Sequence, residues 1–361
     1  MKEIKEFLQG DEAALPNSII LAANYDRNGL NITDDDRRWR FENGEIIIPT
    51  GEKLASIIDG QHRVFGFKDA SIATQSMELL CSVYFDLPNA LQAHMFATIN
   101  TTQVKVDKSL AYIQFGFNAD RETIESWSPD KLAIVLYKKF NQDSESPFYN
   151  HIKVAPQMSE EMKSQIKERG KTWKISTATV VDGIIRLIST NPKRDKYILQ
   201  QIPEVNRKRS ALSDDSAPLR LLYIANQDAV IFTIAMNFFK AAENTLFASA
   251  VASSSITKTV GIQALFDVLR AILVIDKKTS PTFSGINLKR ERFEEILSKA
   301  RGVDFSDHFY QFSGVGRKRI TDTILLANEL IAIPNSSETL PAKVKRREQL
   351  LEVMSYLQKR L

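Results

Sequence analysis

The chain has 361 residues, of which 43% are hydrophobic and 25% are charged, the composition of an ordinary folded protein. Its length predicts two domains or one large one. A single cysteine excludes a disulfide scaffold, and with only four histidines it also excludes a zinc module built from Cys and His. No apolar run reaches the roughly 18–20 residues that span a bilayer. Because the N-terminus also lacks the apolar core of a signal peptide, we expect a cytoplasmic protein without membrane contact.

Charge is unevenly distributed along the chain, although the formal net charge is only +4. Residues 1–130 contain 12 Lys/Arg and 20 Asp/Glu, a net charge of −8. Residues 131–361 contain 36 Lys/Arg and 24 Asp/Glu, a net charge of +12. Any contact with a polyanion is therefore expected mainly in the C-terminal part.

The first hundred residues are predicted to mix strands and helices. Four short apolar runs predict strands: Pro16–Asn24, Glu45–Pro49, Lys53–Ile58 and Glu78–Phe85. The second and third runs are separated by three residues around Gly51, a spacing typical of a hairpin. Helices are predicted at His62–Ala70 and Pro88–Ile99, the second with proline near its first turn.

From about Asp107 onward, apolar residues recur at helical spacing. The predicted helices are Ser109–Phe115, Asp130–Phe140, Ser176–Ile188, Ala217–Phe247, Thr257–Ile275, Leu288–Ala300, Thr321–Ile331 and Pro341–Leu361. Residues 217–275 are the most apolar and predict the core, whereas Asn191–Ser216 and Asn335–Thr339 are predicted to be exposed loops. The expected fold class is α+β, with a small unit over residues 1–106 followed by a larger, mainly helical region over residues 107–361.

The most distinctive local sequence is IIDGQHRVFGF, residues 57–67. A strand is predicted to end at Asp59, Gly60 permits an unusual backbone angle, and a helix begins directly after it. The N–H groups of a first helical turn suit an oxyanion or a phosphate. Arg63 adds a forked cation and His62 a group that exchanges protons near neutral pH, while Asp59 could orient either of them or help to hold a metal. The alternative is a routine turn with solvated side chains.

This segment resembles the signature of the DGQHR-domain family, which residues 59–63 spell out. Phe96–Gln103 resembles the F-x-x-I-N-x-x-Q segment that follows in the family, and Pro16–Leu21 resembles the preceding strand, so the resemblance covers about residues 10–115. The family includes the DndB proteins of DNA phosphorothioation systems and the DpdB proteins of 7-deazaguanine DNA-modification systems. Its similarity in fold to the ParB/sulfiredoxin group implies a ParB/sulfiredoxin-like nucleotide-binding unit over residues 1–106.

The resemblance also implies roles for the residues of the turn. In the ParB/sulfiredoxin group the equivalent turn holds nucleotide phosphates, which implies that Arg63 contacts them and that Gly60 and Gln61 form the cradle. The similar DGQQR motif of restriction enzymes supports nucleotide hydrolysis, which implies catalytic roles for Asp59 and Arg63. His62 stands at the one altered position and is a catalytic candidate through its own chemistry. The implied cofactor is ATP or another NTP, with Mg²⁺. Gln61 replaces the cysteine of sulfiredoxin, which argues against sulfinic-acid reduction.

Asn100 and Gln103 follow the predicted helix Pro88–Ile99 at a spacing of three, so both side chains could project to one side. Such an amide pair could order a metal-bound water or grip a base edge near the phosphates. The alternative is that Asn100 terminates the helix, since asparagine tolerates the left-handed conformation. The family resemblance favours a nucleotide-binding role for both residues. No metal-ligating set is predicted, because the aspartates at 34–36 lack the alternating spacing of a calcium loop.

Three basic clusters occur in the C-terminal part, at residues 207–209, 317–319 and 343–347. Such side chains neutralise DNA phosphates without reading sequence. The residues predicted to bind DNA are Arg317, Lys318, Arg319, Lys345, Arg346 and Arg347. Ser313–Gly316, just before the second cluster, resembles an anion-binding loop that opens a helix, although a flexible turn has the same composition. The alternative for each cluster is a solvated helix face.

The function expected from these features is a nucleotide-binding, ATP-hydrolysing component of a bacterial DNA-modification or anti-phage system. Phosphate binding at the turn would be coupled to DNA or to other proteins of a DNA-modification operon. One alternative is a DndB-like DNA-binding transcriptional regulator without turnover, and another is a DGQQR-type NTP-dependent nuclease. No Walker A string occurs, so a P-loop enzyme is not expected.

Overall fold

The computed structural model describes residues 15, 17–68, 75–102, 109, 112, 122–153, 174–310, 314–335 and 340–360. The chain divides into two compact units, Met1–Lys105 and Val106–Leu361. The first unit contains both strands and helices, whereas the second is mainly helical, so the mixed α+β class is confirmed. The ParB/sulfiredoxin-like character of the first unit stays a prediction. In the described parts of the chain, no helix combines the length and apolarity needed to cross a membrane.

A three-stranded sheet forms the centre of the N-terminal unit. Its strand order is β4-β1-β5, with β1 at Ile19–Ala23, β4 at Ala55–Asp59 and β5 at Cys81–Phe85. Strand β1 runs antiparallel to β4 and parallel to β5. The register of the antiparallel pair shifts next to Ile20, which pairs with Asp59 at the end of β4. Three of the four predicted strands therefore meet in one sheet.

The predicted hairpin across Gly51 is wrong. Strand β3 (Glu45–Ile47) pairs instead with β2 (Arg40–Glu42). Asn43 and Gly44 connect these strands and both have positive φ, 53° and 87°. Such a two-residue loop matches the twist of a hairpin better than a longer connection does. This explains why β3 pairs with β2 rather than with the strand that follows Gly51.

The remaining elements are helices and one short parallel strand pair. In the N-terminal unit they are α1 (Gln61–Gly66) and α2 (Asn89–Thr102). In the C-terminal unit they are α3 (Pro129–Gln142), β6 (Ile152–Lys153), β7 (Ile175–Ser176), α4 (Thr177–Ile188), α5 (Pro192–Gln200), α6 (Arg220–Ile224), α7 (Asp228–Ala242), α8 (Thr259–Thr279), α9 (Arg290–Ser298), α10 (Gly314–Ala327) and α11 (Pro341–Arg360). The predicted helix Ser109–Phe115 and the predicted loop Asn335–Thr339 lie largely outside the described residues.

Aromatic side chains fill the core of the helical unit. The Phe239 ring of α7 lies 4.7 Å, centroid to centroid, from Phe148 and from Phe266 of α8. Gly183 of α4 allows this packing, because a Cβ there would lie 2.4 Å from the Phe266 ring. Helices α7 and α8 are buried along most of their length, so the core predicted over residues 217–275 is confirmed.

The predicted exposed loop Asn191–Ser216 is wrong in its first part, whereas residues 201–216 contain only two short 3₁₀ turns and are mostly exposed. Helix α5 occupies its first part, with the Asn191 side chain accepting a hydrogen bond from the N–H of Arg194 at 3.1 Å. Two charged side chains of the segment are nevertheless buried. Asp195 is 5% exposed and Arg209 is fully buried. Charged residues can be buried when each finds an opposite partner, and both do so here.

Candidate functional site

The DGQHR segment forms a sharp turn from strand to helix. Strand β4 ends at Asp59, Gly60 has φ 94° and ψ 5°, and α1 begins at the next residue. An L-residue at position 60 would be strained by this φ, and its Cβ would lie 2.6 Å from Cδ1 of Ile19. Glycine is therefore required both by the backbone angle and by the available space.

Arg63 is held inside this turn. Its Nη2 donates to Oδ2 of Asp59 at 2.8 Å, and its Nη1 donates to the carbonyl oxygen of Asn17. The Arg63 side chain is 19% exposed and that of Asp59 is 25% exposed. A Cβ at Gly60 would also lie 3.2 Å from Nη2, so glycine makes room for the guanidinium. Among the roles considered for Asp59, the observed one is to orient Arg63.

Gln61 and His62 occupy the first turn of α1, and both are exposed. The N–H groups of Arg63 and Val64 donate to the carbonyl oxygen of Gly60, at 2.9 and 3.1 Å. The N–H groups of Gln61 and His62 have no acceptor among the described residues. Two backbone donors, an exposed imidazole and an oriented guanidinium therefore lie within one short segment. An oxyanion is the ligand that such donors suit.

The charge of Arg63 is balanced by Asp59 in the structure, so the turn is not strongly positive. A phosphate would share the guanidinium with the carboxylate or displace it. Within the described ranges, no group of three or more His, Cys, Asp or Glu side chains could hold a metal ion. In nucleotide sites, Mg²⁺ is commonly held by one or two carboxylates together with phosphate oxygens. Asp59 fits that kind of coordination.

The predicted amide pair, Asn100 and Gln103, lies only partly within the described residues. Asn100 lies within α2, which continues to Thr102, so the interpretation of Asn100 as the end of a helix is wrong. Gln103 lies outside the described residues. Helix α2 is anchored to strand β4 by a hydrogen bond from Oγ of Ser56 to Oε1 of Gln92, at 2.8 Å. A nucleotide-binding role for Asn100 and Gln103 stays a prediction.

The residues predicted to bind DNA lie on α10 and α11, which pack against each other. Three of these six residues are arginines that form ion pairs with carboxylates: Arg317 with Asp267, Arg319 with Glu352 and Arg346 with Asp322. The guanidinium of Arg317 bonds both oxygens of its partner, at 2.6 and 2.7 Å. Helix α10 already begins at Gly314, so residues 314–316 belong to the helix and the predicted loop before it is wrong there.

The other three basic residues of this surface differ from the paired arginines. Lys318 donates to Oε1 of Gln349, whereas Lys345 is exposed and Arg347 is half-buried. Burial lowers the pKa of Lys318, and the positive charges of Arg346 and Lys345 lower it further. Mutual repulsion of this kind marks a surface where an anion would be stabilised.

The basic cluster at residues 207–209 is only partly at the surface. Arg209 is fully buried and donates to both carboxylate oxygens of Asp228, at 2.7 and 2.9 Å. Its guanidinium also lies 4.9 Å from the ring centroid of Tyr223. The interpretation that Arg209 contacts a polyanion is therefore wrong, because its side chain belongs to the core.

Comparison of the chain with protein-family models, with curated proteins and with solved structures finds no match. The family resemblance is thus supported by the motif residues alone and stays a prediction.

Proposed function

We propose that the protein is a nucleotide-binding component of a bacterial DNA-modification or anti-phage system and that it hydrolyses ATP or another NTP. The proposed site of the phosphates is the Asp59–Arg63 turn. One observation carries the proposal: left-handed Gly60 places the uncommitted N–H groups of Gln61 and His62 next to an oriented guanidinium. Backbone donors combined with a fixed arginine are the usual means of binding phosphate oxygens.

Each group of the turn has a role in this proposal. The N–H groups of Gln61 and His62 donate to phosphate oxygens. Arg63, held by Asp59 and by the Asn17 carbonyl, stabilises negative charge on the phosphoryl group being transferred. His62 is exposed and accepts the proton of the attacking water. Mg²⁺, when bound, supplies further neutralisation of phosphate charge.

Nucleotide binding is expected to depend on a divalent cation. Asp59 and Arg63 neutralise each other, so a triphosphate alone would have to compete with a carboxylate for the guanidinium. A divalent cation bound by Asp59 removes that competition, because the carboxylate then has a second positive partner. Chelation by EDTA should therefore weaken nucleotide binding as well as phosphate release.

The test compares nucleotide affinity and phosphate release in the wild type and in two arginine variants. Arg63→Gln should weaken binding about tenfold to a hundredfold, since a charged hydrogen bond contributes about 1.5–3 kcal/mol. Arg37→Gln is the matched control, because it breaks an arginine–carboxylate pair of the same unit, with Glu52, in which Arg37 is 39% exposed. The control should change affinity less than about twofold. Equal losses in both variants would refute a phosphate site at the turn.

A second candidate function is DNA binding without turnover, as in a transcriptional regulator. The observation in its favour is the surface where α10 packs against α11, on which the positive charges of Arg346 and Lys345 lower the pKa of Lys318. Salt-dependent retardation of a DNA fragment on a gel, with no phosphate released from any NTP, would favour this function over hydrolysis.

A further inference from the structure

A groove of about 480 Å³ opens in the C-terminal unit where helices α8 and α10 both begin. Three cationic side chains line it, those of Lys174, Lys258 and Arg317. Thr259 and Gln263 add a hydroxyl and an amide that can donate hydrogen bonds. None of the described residues that line the groove is acidic. The groove therefore concentrates positive charge and donors in one concave space.

Two of the three cations that line this groove have no counter-charge in the described structure. Lys174 and Lys258 are both half-buried, and neither side chain has a hydrogen bond or an ion pair among the described residues. Arg317 bonds Asp267, but this carboxylate is also paired with Arg186, at 3.3 Å. A single carboxylate thus serves two arginines, and the lysines have no counter-charge.

Both helices add partial positive charge at the same place. Helix α8 has 21 residues, starts at Thr259 and has no side-chain cap, and helix α10 has 14 residues and starts at Gly314. Neither helix has an acidic residue in its first turn. Helix N-termini are usually satisfied by a capping side chain or an acidic residue, because their first N–H groups lack acceptors. The uncapped N-terminus of α8 therefore adds to the positive charge of the three cations.

We infer that this groove binds phosphate groups, those of a nucleotide or of a nucleic-acid backbone, through Lys174, Lys258 and Arg317. Its volume lies within the range of about 300–1,000 Å³ that is typical of ligand pockets. The inference does not depend on the proposed function, since the groove lies in the C-terminal unit and shares no residue with the Asp59–Arg63 turn.

Gly314→Glu tests the groove without endangering the fold. A Cβ at Gly314 meets nothing within 4 Å, and this glycine is not in the left-handed region. A carboxylate in the first turn favours the helix through its dipole, yet here it places negative charge in the groove. Val315→Glu is the matched control, because Val315 lies in the same turn, is 60% exposed and does not belong to the groove lining.

The measurement is calorimetric titration of the full chain with pyrophosphate, with ATP and with a short DNA duplex. All proteins carry Arg63→Gln, so that phosphate bound at the turn does not contribute. We expect at least one probe to bind, Gly314→Glu to weaken it by about tenfold or more, and Val315→Glu to change it less than about twofold. Binding should also weaken at higher salt.

The probes distinguish the two sources of phosphate. Binding of pyrophosphate and ATP identifies a small phosphorylated ligand, whereas binding of the duplex alone identifies a nucleic-acid backbone. The inference is overturned when no probe binds, when Gly314→Glu leaves the binding intact, or when both glutamate variants weaken it equally.

Discussion

Replacing Gly60 by alanine should destabilise the turn on which the proposed nucleotide site depends. An L-residue held at the φ of 94° found there costs about 1–2 kcal/mol. The new Cβ would lie 2.6 Å from Cδ1 of Ile19, and moving that side chain off its rotamer costs about 0.5–1.5 kcal/mol more. Alanine reduces the entropy of the unfolded chain, which offsets about 0.4–1 kcal/mol. The expected net loss is about 0.5–3 kcal/mol.

Hydrogen exchange of peptides that cover β4 and α1 measures this loss, because it reports the free energy of opening in the N-terminal unit alone. Gly51→Ala is the matched control, since it makes the same change in the same unit. A Cβ at Gly51 meets nothing within 4 Å, and its φ is not left-handed. The control should be neutral or stabilise the unit by up to about 1 kcal/mol, since only the entropy gain applies there.

An Ile19→Val background separates the steric part of the effect from the backbone part. Valine lacks Cδ1, so Gly60→Ala should cost less there by about 0.5–1.5 kcal/mol, and the backbone part should persist. If Gly60→Ala costs no more than Gly51→Ala in the wild-type background, the turn tolerates a side chain and the reasoning is refuted.

Two further predictions concern the C-terminal unit. Arg220→Met should lower the free energy of unfolding by about 3–5 kcal/mol, because it leaves the buried carboxylate of Asp195 without its partner. Arg290→Met is the control, because it removes an arginine that is 45% exposed and should cost at most about 1 kcal/mol. Urea unfolding, followed by the helical circular dichroism signal, measures both variants. Similar urea midpoints for the two variants would contradict the prediction. Lys345→Gln combined with Arg347→Gln should weaken DNA binding for all sequences alike and reduce the slope of log K against log salt by about 2, whereas an unchanged slope excludes phosphate contacts there.

Local sequence patterns predicted the strands of the N-terminal unit better than their pairing. The apolar runs that became β1 and β4 were visible, but which strands pair depends on contacts between distant parts of the chain. The hairpin at Asn43-Gly44 could have been predicted, since these two residues readily adopt positive φ.

The Asp59–Arg63 turn shows a similar limit. A strand, a glycine bend and a helix were predicted in that order, and the structure contains them in that order. The partner of Asp59 could not be predicted, because both His62 and Arg63 were near in sequence. Helix α1 determines which residue pairs with Asp59. Arg63, four positions later, comes back over the turn and pairs with it, whereas His62 remains exposed.

The basic clusters were the least reliable signal, and the reason lies in the difference between arginine and lysine. Among the described residues of the C-terminal unit, five arginines bond both oxygens of an aspartate: Arg209–Asp228, Arg220–Asp195, Arg292–Asp276, Arg317–Asp267 and Arg346–Asp322. The guanidinium fork matches a carboxylate and is weakly hydrated, so arginine forms such buried pairs more readily than lysine does. Each pair is neutral, so the net charge of +12 over residues 131–361 has to reside on other side chains. Lys174, Lys258 and Lys345 have no such partner among the described residues. A polyanion should therefore be sought at these lysines rather than at the densest runs of arginine.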